Sequence, residues 1–279
     1  MIFQHGSDFV HASTLPMFLL WIVVFIVALL LIYKGKLNKT YSLIIYTVVV
    51  VLGGVILGSV PNLNFSIQTL LPAIGASAPF IVILPMIIIL TILLLTVFLF
   101  GRILCGFACP VGALQELISK IKFKSNIKKQ KNIKYKIDIS LKTATIIRWI
   151  FFGIVTVLAI FWSFSLLQII NPFAGFNLFT NPLAPLFLIP GITLILVVIA
   201  SFFMYRPWCR LFCPFGALAS LVGRFTQYKY IRTEDCNECG LCEKICPTHQ
   251  AERDSKKREC YYCNRCVTVC PQDAIKLGK

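Results

Sequence analysis

The chain has 279 residues, a formal net charge of +16 and a mean hydropathy of +0.82. Hydrophobic residues make up 58% and charged residues 14%, against about 25% charged in an ordinary soluble domain, which excludes a soluble globular protein. The twelve cysteines belong to a chain too long and too apolar for a secreted disulfide scaffold, and a nucleic-acid binder would account for the charge but not for the apolar bulk.

Apolar runs at Met17–Tyr33, Tyr41–Val60, Phe80–Phe100, Ile146–Ile170 and Leu186–Tyr205 each have about the 20 residues that a helix needs to cross a hydrocarbon core. None alternates apolar and polar faces as a surface helix does. Pro85 and the Pro190-Gly191 pair fall near the starts of their runs, where membrane helices tolerate them. The pattern predicts an α-helical membrane protein with five transmembrane helices. The first run reads as an anchor, not a cleavable signal: Asp8 precedes it without a cation, while Lys34, Lys36 and Lys39 follow it, the reverse of a signal peptide's charge order.

Lysine and arginine occur at 34–39, from Arg102 to Arg148 and from Arg206 onward, and nowhere in 1–33, 40–101 or 149–205. Five crossings put all three basic groups on one face, and the positive-inside rule makes that face cytoplasmic. The N-terminus is then outside and the C-terminus inside. The ten cations between residues 120 and 148 read as a juxtamembrane segment touching anionic lipid, not nucleic acid. The uncharged outer loops, Ser59–Pro79 and Ile169–Pro185 with Asn171-Pro172 and Asn181-Pro182, read as interface segments between crossings or as part of a quinone pocket or docking face.

Arg102-Ile-Leu-Cys105-Gly-Phe-Ala-Cys109-Pro-Val-Gly-Ala-Leu114 recurs as Arg206-Pro-Trp-Cys209-Arg-Leu-Phe-Cys213-Pro-Phe-Gly-Ala-Leu218, at a constant offset of 104. Each copy ends a predicted crossing, so the membrane part reads as a parallel internal duplication. Its units are 41–120 and 145–224, with 1–40 in front and a basic loop at 121–144. Each Pro is suited to begin a new helix, whose Gly-Ala-Leu segment would run along the interface. Cys105, Cys109, Cys209 and Cys213 supply four thiolates, enough for one iron–sulfur cluster; two redox-active dithiols or buried packing are the alternatives. Arg102 and Arg206 would lower thiolate pKa or stabilise an anionic cluster, or else snorkel to the interface as topology anchors.

Beyond about Tyr230 the chain turns polar. Cys236, Cys239, Cys242 and Cys246 are spaced C-x2-C-x2-C-x3-C and followed by Pro247; Cys260, Cys263, Cys266 and Cys270 repeat the spacing before Pro271. This is the bacterial two-cluster run, in which the fourth cysteine of each set ligates the other cluster. It predicts an α+β ferredoxin domain over 230–279 with two [4Fe–4S] clusters, one held by Cys236, Cys239, Cys242 and Cys270, the other by Cys260, Cys263, Cys266 and Cys246. Zinc sites do not use this doubled pattern, and a cytoplasmic tail disfavours disulfides. His249 reads as a solvated surface residue.

The paired C-x3-C-P motifs at helix ends, followed by a C-terminal two-cluster ferredoxin, resemble the membrane-bound polyferredoxins of the NapH type. The same core is similar to the C-terminal part of NosR and to CcoG. The resemblance covers about residues 41–279 and takes in all twelve cysteines; it departs from NosR in lacking an extracytoplasmic flavin-binding domain ahead of the membrane part. It implies a membrane iron–sulfur protein passing electrons between the quinone pool or a cytoplasmic donor and a partner reductase. The alternative it allows is a maturation or sensing accessory protein, whose clusters reduce a metal or thiol in a partner oxidoreductase. No His lies in a predicted crossing and no C-x-x-C-H occurs, so no heme is expected. No phosphate-cradling glycine motif or nucleophile–base pair stands out. The chain reads as an electron-carrier subunit more than as an enzyme on its own.

Overall fold

Where no water is present to satisfy backbone polar groups, a long apolar run is stable only as a helix. The computed structural model, which describes residues 7–58, 62–128, 135, 137–180 and 185–279, is built from such helices. Helix α1 covers Ser7–Tyr33 and α2 Lys39–Val48, with the Asn38 side chain accepting from the Lys39 amide at its start. A π-helical stretch, Val49–Ile56, extends α2. Then come α3 (Phe65–Gly75), α4 (Phe80–Phe100), α5 (Pro110–Lys128) and α6 (Leu141–Trp162). Three short helices follow, α7 (Leu166–Ile170), α8 (Pro172–Gly175) and α9 (Asn177–Thr180), before α10 (Leu188–Phe203) and α11 (Pro214–Val222). The C-terminal module holds β1 (Lys229–Arg232), α12 (Leu241–Ile245), α13 (Arg265–Thr268) and β2 (Ile275–Gly278).

Among the described residues, four helices are long and apolar enough to cross a membrane: Lys39–Ile56, Phe80–Phe100, Leu141–Trp162 and Pro185–Phe203. Large apolar side chains such as Ile81, Phe161 and Leu186 point outward from them, as lipid-facing residues do. Trp21–Tyr33 is a further, shorter apolar stretch within α1, which begins at Ser7, upstream of the expected run, and so takes in His11. The expected Asn181-Pro182 turn lies outside the described residues, as do 129–134 and 136 of the basic segment.

Two expectations are corrected by the packing. The Pro-initiated helices do begin at Pro110 and Pro214, but their first turns do not lie along the interface. Val111, Ala113, Gln115, Glu116, Phe215, Ala217 and Ala219 are all buried, because α5 packs on α2 and α10 while α11 packs on α4 and α6. The presumed outer loops also fold back into the bundle. Asn64 Oδ1 accepts from the Phe215 amide at 3.3 Å and contacts Cys213 Sγ at 3.4 Å, and Asn171 Nδ2 donates to Gln68 Oε1 at 2.9 Å. An uncharged, apolar segment can fill a bundle as readily as it can rest in an interface.

The C-terminal module closes with one antiparallel pair, β1 on β2, in the register Lys229↔Gly278 to Arg232↔Ile275. It sits directly on the helix ends. The amides of Gln227 and Tyr228 donate to the carbonyls of Phe98 and Leu99 at 3.0 and 2.9 Å, satisfying acceptors that a helix C-terminus leaves open. Asn264 Nδ2 donates to the Leu37 carbonyl at 2.6 Å. Val24, Ala28, Ile32 and Tyr46 of the first two helices share one apolar core with Tyr230, Tyr262 and Ile275 of the module. Two glycines permit this approach. Gly101 ends α4 at φ +67° beneath the Tyr262 ring, and at Gly106 any Cβ would collide with the Tyr261 carbonyl oxygen.

Gly106→Ala is therefore expected to loosen the module, at a cost of about 1–3 kcal/mol for overpacking. Gly153→Ala, with open space around its position, should not. Hydrogen exchange across 229–279 reads the difference, and equal protection in the two variants would contradict this account of the junction.

Candidate functional site

The twelve cysteines fall into three groups of four, each walling its own cavity. Cys236, Cys239, Cys242 and Cys270 line the outermost, where Cys239 is exposed. Cys246, Cys260, Cys263 and Cys266 line the middle one. Cys105, Cys109, Cys209 and Cys213, all buried, line the third, together with Leu63, Phe173 and Trp208. The fold thus carries Cys270 across to the first run and Cys246 across to the second. Neighbouring cavities share walls: Arg232 and Ile275 border both the outer and the middle one, and Tyr261 borders both the middle and the third.

Among the described residues, no three Cys, His, Asp or Glu side chains converge on a single metal ion. Four cysteines around a void suit a multi-iron group better than a lone zinc, whose bonds of about 2.3 Å would draw the sulfurs together. Backbone amides face the sulfurs: Gly112 to Cys109 at 3.4 Å, Gly216 to Cys213 at 3.3 Å, Gln250 to Cys246 at 3.3 Å and Ala274 to Cys270 at 3.4 Å. Around the third cavity three buried donors have no protein partner, namely Trp208 Nε1, Arg102 Nε and Asn64 Nδ2. Arg232 Nε, between the other two cavities, is likewise unpaired. Buried donors without acceptors are costly, and an anionic, sulfur-rich group in the cavity would relieve them. The residues present therefore fit an iron–sulfur cluster in all three places.

The two C-x3-C-P segments have the same local form. Each cysteine pair spans a π-helical turn, Leu104–Ala108 or Trp208–Phe212, and each second cysteine is extended, with φ −85° at Cys109 and −76° at Cys213, before a Pro-initiated helix. Their arginines cross over. Arg206 Nη1 donates to the Cys105 carbonyl at 3.0 Å, and Arg102 Nη2 donates to the Gly216 carbonyl.

Both arginines are fully buried, at 1% and 0% exposure, so neither snorkels. Glu259 accepts from Arg102 at 2.5 Å and from Arg148 at 2.6 Å. Glu116 accepts from Arg206 at 2.9 Å and from Arg265 at 2.6 Å. Burial alone would raise both carboxyls, but the paired guanidiniums override it and hold Glu116 and Glu259 at about 2. Burial dominates at the third cavity's thiols instead: Cys105 is pushed up to about 11 and Cys213 up to about 12, with Cys109 and Cys209 also raised. Thiols so raised are poor nucleophiles, whereas coordination to metal deprotonates a thiol outright.

The sequence singles out all twelve cysteines, which the structure gathers into these three groups, and Arg102 and Arg206, but not Glu116, Glu259, Tyr261, Asn64 or Phe173. Glu116 carried a usable signal, as the only acid between Asp8 and Asp138. His249 is exposed and lies 3.1 Å from Asp138, in keeping with a surface residue.

Comparison with known proteins gives the same chemistry. A 4Fe-4S binding domain family matches residues 82–128 and again 186–231, and a second family of that description matches 229–250 and 257–276. The chain is 29% identical over 208 residues to an uncharacterized protein of Methanocaldococcus jannaschii, covering 73% of this chain and 81% of that one. It is 30% identical over 220 residues to the putative electron transport protein YccM of Escherichia coli, covering 75% of this chain and 58% of YccM. It is 26% identical over 197 residues to the ferredoxin-type protein NapH of Haemophilus influenzae, covering 64% of this chain and 62% of NapH. The chain thus spans less than two thirds of YccM and NapH. No solved structure matches it.

Glu259→Gln should cost about 3–5 kcal/mol, as breaking a buried ion pair does, read as a lower unfolding midpoint and protease release of the C-terminal module. The pH dependence has a definite sign. Carboxyls held at about 2 in the fold lie below the roughly 4.3 of an unfolded glutamate. Their stabilisation is complete above that value and lost only as pH falls toward the folded one. Docking should therefore be flat from about pH 8 to about pH 5, and a module that loosens near neutrality would contradict the ion pairs.

Proposed function

The chain is a member of the NapH-type family of membrane-bound polyferredoxins, an iron–sulfur electron-transfer protein, and we propose that it relays single electrons through three cysteine-lined cavities in series. One end of the relay exchanges electrons with the quinone pool or a cytoplasmic donor, the other with a partner redox protein. The observation that carries this reading is the third cavity, walled by Cys105, Cys109, Cys209 and Cys213 and joined to the C-terminal cavities through a shared residue.

In this reading Cys236, Cys239, Cys242 and Cys270 hold one [4Fe–4S] cluster, and Cys246, Cys260, Cys263 and Cys266 hold the second. Cys105, Cys109, Cys209 and Cys213 hold a third iron–sulfur group at the membrane face. Such groups, once bound, supply one-electron chemistry at potentials tuned by hydrogen bonds to sulfur and by exclusion of solvent. The chain's own residues provide both: the amides of Gly112, Gly216, Gln250 and Ala274 donate to ligand sulfurs, and the third cavity's four cysteines are buried. Dithiol chemistry at the C-x3-C-P pairs is disfavoured, because burial raises those thiols and because it would leave the cavity's buried donors unpartnered.

The same reading takes α1 as a fifth crossing. It divides the chain into 1–40, a first membrane unit at 41–120, a basic segment at 121–144, a second unit at 145–224 and a ferredoxin domain at 230–279. Support for a duplication is the matching geometry of the two cysteine turns and the one family that matches twice, both 104 residues apart. Arg102, Arg148 and Arg206 all contact or neighbour the ferredoxin domain, so the basic groups share its side. By the positive-inside rule that side is cytoplasmic and the N-terminus is outside, with the remaining surface cations against anionic lipid.

Anaerobic iron and sulfide counting with EPR tests the clusters. We expect about twelve irons per chain, falling to about eight in Cys105→Ser/Cys209→Ser; eight in both proteins would remove the third site. Reporter fusions test orientation. Alkaline phosphatase should be active when joined after Phe164 and inactive when joined after Lys279, and the opposite pattern would invert the topology.

A further inference from the structure

We propose that Tyr261 is the aromatic bridge that couples the membrane-face cavity electronically to the middle ferredoxin cavity, a role that rests on the three-site reading above. Among the described residues, Tyr261 alone is common to the walls of both cavities. It follows Cys260 directly in the chain, so it is covalently attached to a wall of the middle cavity. Its backbone carbonyl rests on Gly106, inside the first C-x3-C turn.

The ring is fixed on every side. Its hydroxyl accepts from Arg102 Nη1 at 2.7 Å and donates to Glu259 Oε2 at 3.2 Å. The guanidinium carbons of Arg206 and Arg102 lie 4.4 and 5.1 Å from the ring centroid, and Tyr205 packs edge-on at 6.2 Å. At 2% exposure Tyr261 is screened from water. Aliphatic side chains could fill the same space, but a π-system offers low-lying empty and high-lying filled orbitals through which donor and acceptor states mix.

Those guanidiniums also define what Tyr261 does not do. Removing an electron from a ring flanked by two cations is opposed by their charge, so the tyrosine stays closed-shell. One electron moves between the iron–sulfur groups of the two cavities, leaving one oxidised and the other reduced by the same unit. No bond forms or breaks, and the hydroxyl proton stays between Arg102 and Glu259.

Three substitutions separate a bridge from a mere docking contact. Tyr261→Phe keeps the ring and loses the hydroxyl; Tyr261→Leu and the more adaptable Tyr261→Met fill space without a ring. In each, iron content, protease resistance of 229–279 and the rate of electron equilibration after rapid reduction, followed by freeze-quench EPR, are measured on the full chain. We expect the Phe variant to equilibrate within about twofold of wild type, and the Leu and Met variants to be slower by about tenfold or more, with iron content and docking retained in at least the Met variant. Wild-type rates in a fully loaded, docked Met or Leu variant would overturn the bridge alone, as would equal slowing in Phe. An iron count that Cys105→Ser/Cys209→Ser does not lower would overturn the bridge together with the third site.

Discussion

Two buried carboxylates hold this molecule together. Glu116 and Glu259 each accept from two buried arginines, and each joins parts of the chain far apart in sequence. Glu116, on α5, ties the second cysteine segment through Arg206 and the C-terminal module through Arg265. Glu259, on the module, ties the first cysteine segment through Arg102 and α6 through Arg148. Desolvating so many ions is unfavourable unless their partners are well placed. Here the acids do not balance the bases. Arg102 and Arg148 share Glu259, and Arg206 and Arg265 share Glu116, while Arg210, also buried, donates to the Ile139 carbonyl and Lys120 adds a further cation. The uncompensated positive charge lies beside the cysteine cavities, where a metal group carried on four thiolates would be anionic. Metal loading would thereby favour docking of the module, as metal binding commonly favours folding.

The clamp is asymmetric, and the asymmetry explains where the module docks. At an offset of 104, Glu116 corresponds to Ser220. Arg206 therefore finds its carboxylate on the opposite cysteine segment, whereas the equivalent position facing Arg102 offers only a hydroxyl. Glu259 enters at that place, bonded to Arg102 and also to Ser220. A glutamate at position 220 would satisfy Arg102 from the helices alone; Ser220 leaves a place there that Glu259 of the C-terminal module fills.

The cysteine groupings were legible in the sequence because their chemistry is local: ligand spacing is short and the crossing over of each fourth cysteine follows from the run itself. The helix starts at Pro110 and Pro214 were legible for a similar reason, since proline acts on its own turn. What could not be read locally were partners more than ninety residues apart. Arg102 beside an apolar run looks like a snorkelling anchor until Glu259 is known to reach it, and Asn64 looks like an outer-loop residue until Phe215 meets it. Hydropathy reports which solvent a segment tolerates, and lipid and a packed bundle interior are nearly the same solvent. Tyr261 was hidden differently, because the two positions between Cys260 and Cys263 are free to vary as far as ligation is concerned.

The middle cavity shares wall residues with each of the other two, the one whose Cys239 is exposed and the one whose four cysteines are buried. Electronic coupling between redox groups falls steeply with separation, so a relay of this kind works only if the module keeps a fixed seat on the membrane part. A flexible tether would leave the outer two sites functional and the third isolated. The sequence invests accordingly in the junction rather than in the module, which has a single two-stranded sheet and two short helices of its own. The bare glycine at 106, the helix-end carbonyls of Phe98 and Leu99 and the two arginine clamps all act at that one contact. Cys239 leaves the outer cavity open to solvent, whereas the four cysteines of the third cavity are buried among the helices.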